Sequence, residues 1–549
     1  MKTISIKLLD YCHYIFFIIF IILGFYILND YGFNIDETFT RKSGLYWLKY
    51  LADFFNLPYI SEISSQKLNS SDDFTVPWSD AYGIIFDLPA AIIETTFSIN
   101  EPLKIYQMRH ALTFLYFLTG LVFFYKTLIN RFKSKYLSLF GCFLLVFTPR
   151  IFGEIFHNNK DIIFLTIFII TIYFYFKTID TEDYKNLVLF SLFSSIATST
   201  RIFGIIIPII FVFMYCLSVL SQKKDLKKVN YILVYLLFYF VFLFIHWPYL
   251  WEDPFRNFFD YIFNLNIFGA EVVYFFGKFY NTTLLPYSYL PVWVFISTPI
   301  LNIILFFLGF YYSTKNFLIK LYQVDLKKVK VKYDFWNNKN EKKDFFIFIL
   351  FISYIVAGIF LSPKHYNGWR IFYFLNFFII FYSIFFINNY LNFKKLNKKN
   401  LSYILFAALL IILNIYKIFI YHPYQSYYFN DLITKKIKNK FEGDYSGLSG
   451  ISFLREIVKK DESAKIKISV NSWYPLWRMK ELLPQKDRSR VEFIFDDKNN
   501  ANYIYSNRIF DVDIQKSEKY KLDPSFKIYK RYIIDGITIY EIYIKKGKI

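Results

Sequence analysis

Two carboxylates stand side by side at Asp36 and Glu37, soon after the chain's first hydrophobic run, Tyr11–Leu28. Ionised groups at a membrane face are costly unless they hold a cation, a basic partner or a reacting group. A carboxylate within hydrogen-bond reach of a hydroxyl or amine can take its proton as a general base. The same pair would also suit a helix starting near Thr38, because acidic side chains favour the positive end of the helix dipole.

Three further clusters carry chemistry. The stretch Thr148–Asp161 holds Arg150, Glu154, His157, Asn158, Asn159, Lys160 and Asp161. Were it helical, Glu154, Asn158 and Asp161 would share a face at i, i+4 and i+7. A carboxylate there could bind a metal together with Asp36 and Glu37, or hold a basic group; the plainer reading is a polar loop with helix caps. A basic set follows at Arg201 and at Lys364–Arg370. Guanidinium and ammonium groups match phosphate oxygens, arginine through a bidentate fork, and a departing phosphate needs such neutralisation. Snorkelling at span ends is the alternative use. Aromatic rings beside polar groups, in His246–Pro254, Pro286–Pro291 (with Tyr289) and His422–Asn430, suit sugar faces and equally suit the interfacial belt. The sequence holds no Gly-rich phosphate loop, no HExxH and no nucleophile elbow.

The elements that must position these groups are hydrophobic spans. The chain of 549 residues is 55% hydrophobic and 23% aromatic, above the roughly 45–50% apolar share of soluble domains. Its apolar residues run in stretches near the length that crosses hydrocarbon. The net charge of +21 would suggest nucleic acid on a soluble protein. Here much of the excess lysine sits between spans, as the positive-inside rule requires, so no nucleic-acid partner is expected. Cys12, Cys142 and Cys216 form no motif with one another or with histidine, which indicates neither a disulfide framework nor a zinc site.

About eleven spans are expected: Tyr11–Leu28, Gln107–Lys126, Tyr136–Thr148, Ile162–Phe176, Leu187–Ser199, Ile202–Leu220, Tyr231–Ile245, Leu290–Tyr311, Phe345–Leu361, Ile371–Ile387 and Leu401–Tyr421. Tyr11–Leu28 is read as an uncleaved span, because it is long for a signal core and no cleavage pattern follows. The first outer segment, 29–106, contains two amphipathic pieces, Gly44–Leu57 and Tyr82–Phe97, expected to lie in the interface. This arrangement puts the lysine-rich loops inside and gathers the acidic, basic and aromatic clusters outside. Residues 1–421 would form the membrane module and 422–549 a small outer domain. That tail shows a helical period over Leu448–Lys460, strands at Lys465–Val470, Val491–Phe495 and Tyr503–Tyr505, and a hairpin turn at Asp535-Gly536.

Several motifs in this order resemble the dolichyl-phosphate-mannose protein mannosyltransferase family and its bacterial relatives. They are Asp36-Glu37, Arg109-His110, Pro149-Arg150 through Asn158–Asp161, Arg201–Gly204, His246–Tyr249, Pro286–Pro291 with Thr298-Pro299, Trp369-Arg370, and His422–Asn430. The resemblance covers roughly 35–445. It implies a GT-C fold, a polytopic α-helical membrane protein with its active site on the outer face. It also implies a lipid-phosphate-linked sugar donor and inversion at the anomeric carbon. By position, Asp36 matches the family's catalytic acid, Glu37 its neighbour, and Asp161 the acidic position of the second outer loop. The tail lacks the β-trefoil module of the eukaryotic protein mannosyltransferases, which leaves the acceptor open among glycan, lipid and protein.

The sequence reading is therefore a glycosyltransferase of the cell's inner (plasma) membrane. It would use a polyprenyl-phosphate sugar, with membrane lipids around it and an acceptor of unknown kind. Asp36, Glu37 and Asp161 are the expected catalytic residues. Arg201, Arg370 and Lys364 are expected at the donor phosphate, and Arg109, Glu154, His157, Asn158, His246 and Tyr289 at the substrates. No cofactor is required, and a divalent metal is left open. The alternative class is a transporter or flippase, which would keep ionisable groups near the bilayer midplane; a non-catalytic scaffold is a third reading. The central parts of spans four, six and eight hold no charge, which favours chemistry at the surface.

Overall fold

The computed structural model describes residues 11–69, 81–221, 226–263, 272–322, 336, 338–360, 367–390, 398–510 and 518–547. The helices, in chain order, are α1 (Cys12–Ile27), α2 (Ile35–Phe54), α3 (Pro58–Asn69), α4 (Asp87–Thr96), α5 (Pro102–Phe132), α6 (Lys135–Val146), α7 (Pro149–His157), α8 (Asp161–Thr181) and α9 (Tyr184–Thr200). They continue with α10 (Ile206–Ser221), α11 (Leu226–His246), α12 (Pro254–Phe263), α13 (Tyr289–Ser297), α14 (Ile300–Tyr322), α15 (Lys339–Phe360), α16 (Leu375–Tyr390), α17 (Lys398–Tyr421) and α18 (Ser449–Lys460). Each expected span contains a helix. Among the described residues, 5 helices are long and apolar enough to cross a membrane, or 6 if one bent pair counts as a span. The chain is a multi-pass α-helical membrane protein with a C-terminal α/β domain.

Two spans differ from the sequence expectation. The third continues past Val146 as α7, turned by 71° from α6. Pro149 opens α7, where its missing N–H costs nothing. The stretch expected as an outer polar loop is thus a buried helix. The eighth span is broken at Thr298-Pro299 into α13 and α14. Proline drives the preceding residue out of the helical region, and Thr298 is extended. Asn430 satisfies the carbonyls this break frees, donating to Phe295 O at 2.7 Å and Thr298 O at 2.9 Å. Backbone so interrupted within a bundle needs such partners.

The two amphipathic pieces of the first outer segment appear as α2, which already begins at Ile35, and α4. Arg41 joins them, donating to both oxygens of Glu94 at 2.9 and 2.7 Å. At the opposite end of the bundle, Arg131 bonds Asp344 through two N–H groups at 2.6 and 2.5 Å, and Lys343 meets Asp180 at 2.5 Å. Three loops expected on one side of the membrane therefore converge there.

The C-terminal domain holds five strands: β3 (Ile466–Val470), β4 (Val491–Phe493), β5 (Tyr503–Ser506), β6 (Phe526–Ile534) and β7 (Ile537–Lys545). A small separate hairpin, β1 (Val272–Phe275) with β2 (Lys278–Asn281), precedes them. The sheet order is β4-β3-β5-β7-β6, with β3 parallel to both its neighbours and the rest antiparallel. Asp535 and Gly536 both take positive φ, 48° and 81°, as a type I′ turn demands. On α18, Ile451, Leu454, Ile457 and Val458 are buried as their spacing predicts. One apolar core runs without a break from the membrane helices into this sheet.

Candidate active site

The doublet opens α2 on a capping box. Asn34 Oδ1 accepts from the Asp36 N–H at 3.1 Å, and Glu37 Oε2 accepts from the Asn34 N–H at 2.9 Å. This reciprocal cap satisfies two orphan donors of the first turn and aims the two carboxylates differently. Glu37 turns inward, where His110 Nε2 donates to it at 3.1 Å. Asp36 turns outward and keeps 40% of its side chain exposed.

A second carboxylate is set at the start of α8. Asn158 Oδ1 accepts from the Asp161 N–H at 2.9 Å, while Asn158 Nδ2 donates to Asp161 at 3.1 Å and to Glu154 at 2.9 Å. Asp161 thus lies in the first helical turn, where the dipole favours its charge. The stretch is not one helix, so no i, i+4, i+7 face forms: α7 ends at His157, and Asn158, in the turn to α8, links Glu154 to Asp161 by its own hydrogen bonds. His157 Nδ1 accepts from Asn34 Nδ2 at 3.3 Å, tying this turn to the cap of α2.

Two arginines bridge the carboxylates. Arg201 Nη2 donates to Asp161 Oδ1. Arg370 lies 2.5 Å from Asp36 and 3.7 Å from Asp161. Arg201 occupies the extended residue that ends α9, and Arg370 opens a 3₁₀ turn ahead of α16. The result is an alternating chain, Asp36–Arg370–Asp161–Arg201, drawn from four separate stretches of sequence. A buried guanidinium is tolerated only when paired this way.

Lys160 adds a third basic group. Its Nζ sits 2.9 Å from the centroid of the Tyr82 ring. Burial, then the nearby Arg201 charge, holds its ammonium well below the usual lysine range, against the pull of Asp87, Asp36 and Asp161. Arg109 lies behind α2, bonded to Asp87 at 2.6 Å and Thr40 at 3.0 Å. Burial raises the Asp87 pKa, and Arg109 works against that rise.

The C-terminal domain closes the same edge. Ser446 O accepts from the Ile35 N–H at 3.0 Å. Asn367 donates to Ser446 at 3.1 Å, the Gly368 N–H donates to Glu442 at 3.0 Å, and the Tyr445 ring lies 6.0 Å from the Arg370 guanidinium. Asp444 holds this segment in shape, accepting from Tyr427 OH at 2.6 Å and from the N–H groups of Leu448 and Ser449. A Cβ at Gly32 would collide with the Leu448 carbonyl, so this approach requires glycine.

Of the residues singled out by sequence, Asp36, Glu37, Glu154, His157, Asn158, Asp161, Arg201 and Arg370 come together. Arg109 stands one layer away. His246 and Tyr289 do not join them: His246 bonds Ser195 at 3.1 Å, and Tyr289 packs against the Phe275 ring at 4.9 Å. Lys364 lies outside the described residues. Sequence reasoning passed over Asn34, Thr40, Asp87, Glu442, Tyr445 and Ser446. The Asn34-x-x-Glu37 spacing is a readable capping signal; the Glu442–Leu448 stretch reads only as a turn-rich loop. Among the described residues, no group of three or more His, Cys, Asp or Glu is arranged to hold a metal ion. Asp36 and Asp161 are engaged by guanidinium groups instead, so as arranged they do not fit a metal.

No protein-family model matches the chain, and no curated protein matches it. Among solved structures it is similar to ArnT from Cupriavidus metallidurans bound to undecaprenyl phosphate, at 10% identity, with 97% of this chain and 98% of that chain covered and a TM-score of 0.47. It is also similar to the archaeal oligosaccharyltransferase AglB from Archaeoglobus fulgidus in complex with an inhibitory peptide and a dolichol-phosphate. There the identity is 12%, the coverage 87% and 66%, and the TM-score 0.40. At these scores the likenesses assign neither a family nor an activity.

Proposed function

We propose that this protein is an inverting membrane glycosyltransferase of GT-C type, moving a sugar from a polyprenyl-phosphate donor to an extracytoplasmic acceptor. The observation that carries the reading is the exposed Asp36 carboxylate at the open end of a buried carboxylate–guanidinium chain. A base must be reachable, and Arg370 pairs with Asp36 without covering it. In the reaction, an acceptor hydroxyl attacks the anomeric carbon while Asp36 takes its proton. The bond from that carbon to the phosphate oxygen breaks, and the lipid phosphate leaves with the electron pair. Arg201 and Arg370 concentrate positive charge where that anion forms, which suits electrostatic stabilisation of the leaving group. Lys364 is proposed to join them.

Glu37 holds Asp36 in place through the cap. Asp161 orients both arginines, and Glu154, Asn158 and His157 hold Asp161 and the cap against each other. Residues 1–421 form the catalytic module. The domain from His422 onward covers it through Glu442–Leu448, and the site faces outward from the inner membrane. The test is transfer of a labelled sugar from polyprenyl phosphate in membranes holding the protein, alongside mass spectrometry of envelope glycans with and without the gene. A gene-dependent glycan and labelled product support the reading. Counterflow of a solute in proteoliposomes without covalent product overturns it in favour of transport.

A further inference from the structure

The segment between α11 and β1 was expected as an outer loop with an aromatic border. It contains α12, a ten-residue helix with two opposed faces. Tyr261 is buried against Trp247, with ring centroids 5.0 Å apart, and against Tyr82 at 6.0 Å. On the other face, Phe255, Phe259 and Phe263 follow one another at i, i+4 and i+8, with 79%, 51% and 71% of their surfaces exposed. Three phenylalanines in one open stripe form a patch of the kind that marks an interaction surface.

The surroundings identify what covers it. The Trp251 indole donates to the Phe244 carbonyl at 2.7 Å, and Asn257 donates to the Tyr249 carbonyl at 2.7 Å. The connection therefore folds back on the last turns of α11 instead of projecting away from them. Leu233, Leu237, Phe240 and Phe244 form an exposed apolar row along α11, the face that a spanning helix turns to lipid. Trp251, four residues before Phe255, bonds Phe244 at the end of this row. Phe54, packed on Trp251 at 5.4 Å, extends the apolar surface onto α2. The charged neighbours Glu252, Asp253 and Arg256 are exposed.

We propose that α12 lies in the plane of the membrane, with Phe255, Phe259 and Phe263 seated among the outer ends of the acyl chains. An amphipathic helix binds an interface through such a stripe, and Trp251 sits where the aromatic belt is found. The buried face of the helix packs on Tyr82, whose ring carries Lys160, so the lipid-seated helix walls the candidate site on its lipid side. The inference does not depend on which reaction the site performs.

The test places a bimane label on one cysteine at a time, in Phe255→Cys, Phe259→Cys, Phe263→Cys and, off the stripe, Asp260→Cys. Cys12 and Cys216 are replaced by alanine, and the buried Cys142 is kept. The full chain is reconstituted in phosphatidylcholine–phosphatidylglycerol vesicles. Labels at 255, 259 and 263 should lose at least about half their fluorescence to lipids brominated near the headgroup, less to lipids brominated deep in the chain, and little to aqueous iodide. The label at 260 should show the reverse. Equal iodide quenching at all four sites overturns the proposal. So does protection from both quenchers with cross-linking between copies at 259, which would assign the stripe to a second copy of the chain. Because each position is labelled singly, one misfolded variant leaves the others to decide.

Discussion

Arg370 reaches Asp36 at 2.5 Å from a position almost sealed from solvent, 2% exposed against 40% for its partner. The cation is fixed and the carboxylate is open. An open carboxylate on a fixed partner is the geometry the proposed base requires, because a base must be within reach of the proton it takes.

Asp161 is the group both arginines share; removing it takes the bonded carboxylate from Arg201 and leaves Arg370 with Asp36. Asp161→Asn should cost about 3–5 kcal/mol, the penalty for leaving a buried ion without its partner. Arg201→Met should also destabilise. The double variant Asp161→Leu/Arg201→Met should lose less than the sum of the single changes, because these residues couple directly. Thermal unfolding of the purified protein in detergent measures all of these; strict additivity would show that the contact contributes little.

The cluster at the opposite end of the bundle is predicted to serve the fold alone. Asp344→Asn breaks the two-bond contact with Arg131 and should lower the unfolding temperature by several degrees. Sugar transfer per folded molecule should stay within about twofold. Loss of transfer in a fully folded variant would show long-range coupling that the present account does not contain.

Lys160 predicts a pH dependence. Its folded pKa is depressed by burial and by Arg201, so between that value and the unfolded value of about 10.4 the unfolded chain binds more protons. Stability relative to Lys160→Met should therefore rise with pH through this window and level off above it. Below the depressed value the charged lysine costs a constant amount. Unfolding temperatures of both proteins from pH 6 to 11 give the difference; a slope of opposite sign would mean that the acidic neighbours outweigh burial.

Much of this arrangement was legible in the sequence because hydrophobic runs and charged loops carry strong signals. Helices occupy every expected span, α18 follows the period read over Leu448–Lys460, and the hairpin turns at Asp535-Gly536. Asp36, Asp161, Arg201 and Arg370 could be gathered because their loops alternate along the chain. The bend between α6 and α7 was less legible. A polar stretch after a short span reads as a loop, yet Pro149 starts a new helix whose polar residues are satisfied by the bundle. The division of labour within the doublet depends on Asn34, a single cap residue outside the expected span. The closing segment Glu442–Leu448 has no periodicity and finds its place through contacts with Ile35, Asn367 and Gly368, all distant in sequence. His246 and Tyr289 stood in suggestive motifs, but His246 bonds Ser195 and Tyr289 packs on Phe275, away from the Asp36–Arg201 chain.

The central claim is that Asp36 reacts while Glu37 positions it, and one paired measurement tests it. Asp36→Asn and Glu37→Ala are compared for labelled-sugar transfer from polyprenyl phosphate and for unfolding temperature. The account predicts that Asp36→Asn stays folded, losing less stability than Asp161→Asn because Arg370 keeps Asp161, with transfer reduced at least about 10²-fold, the lower end of a general base's usual contribution. Glu37→Ala should lose about 1–2 kcal/mol of stability with its cap and retain measurable transfer while folded. Full transfer by a folded Asp36→Asn protein would contradict the account.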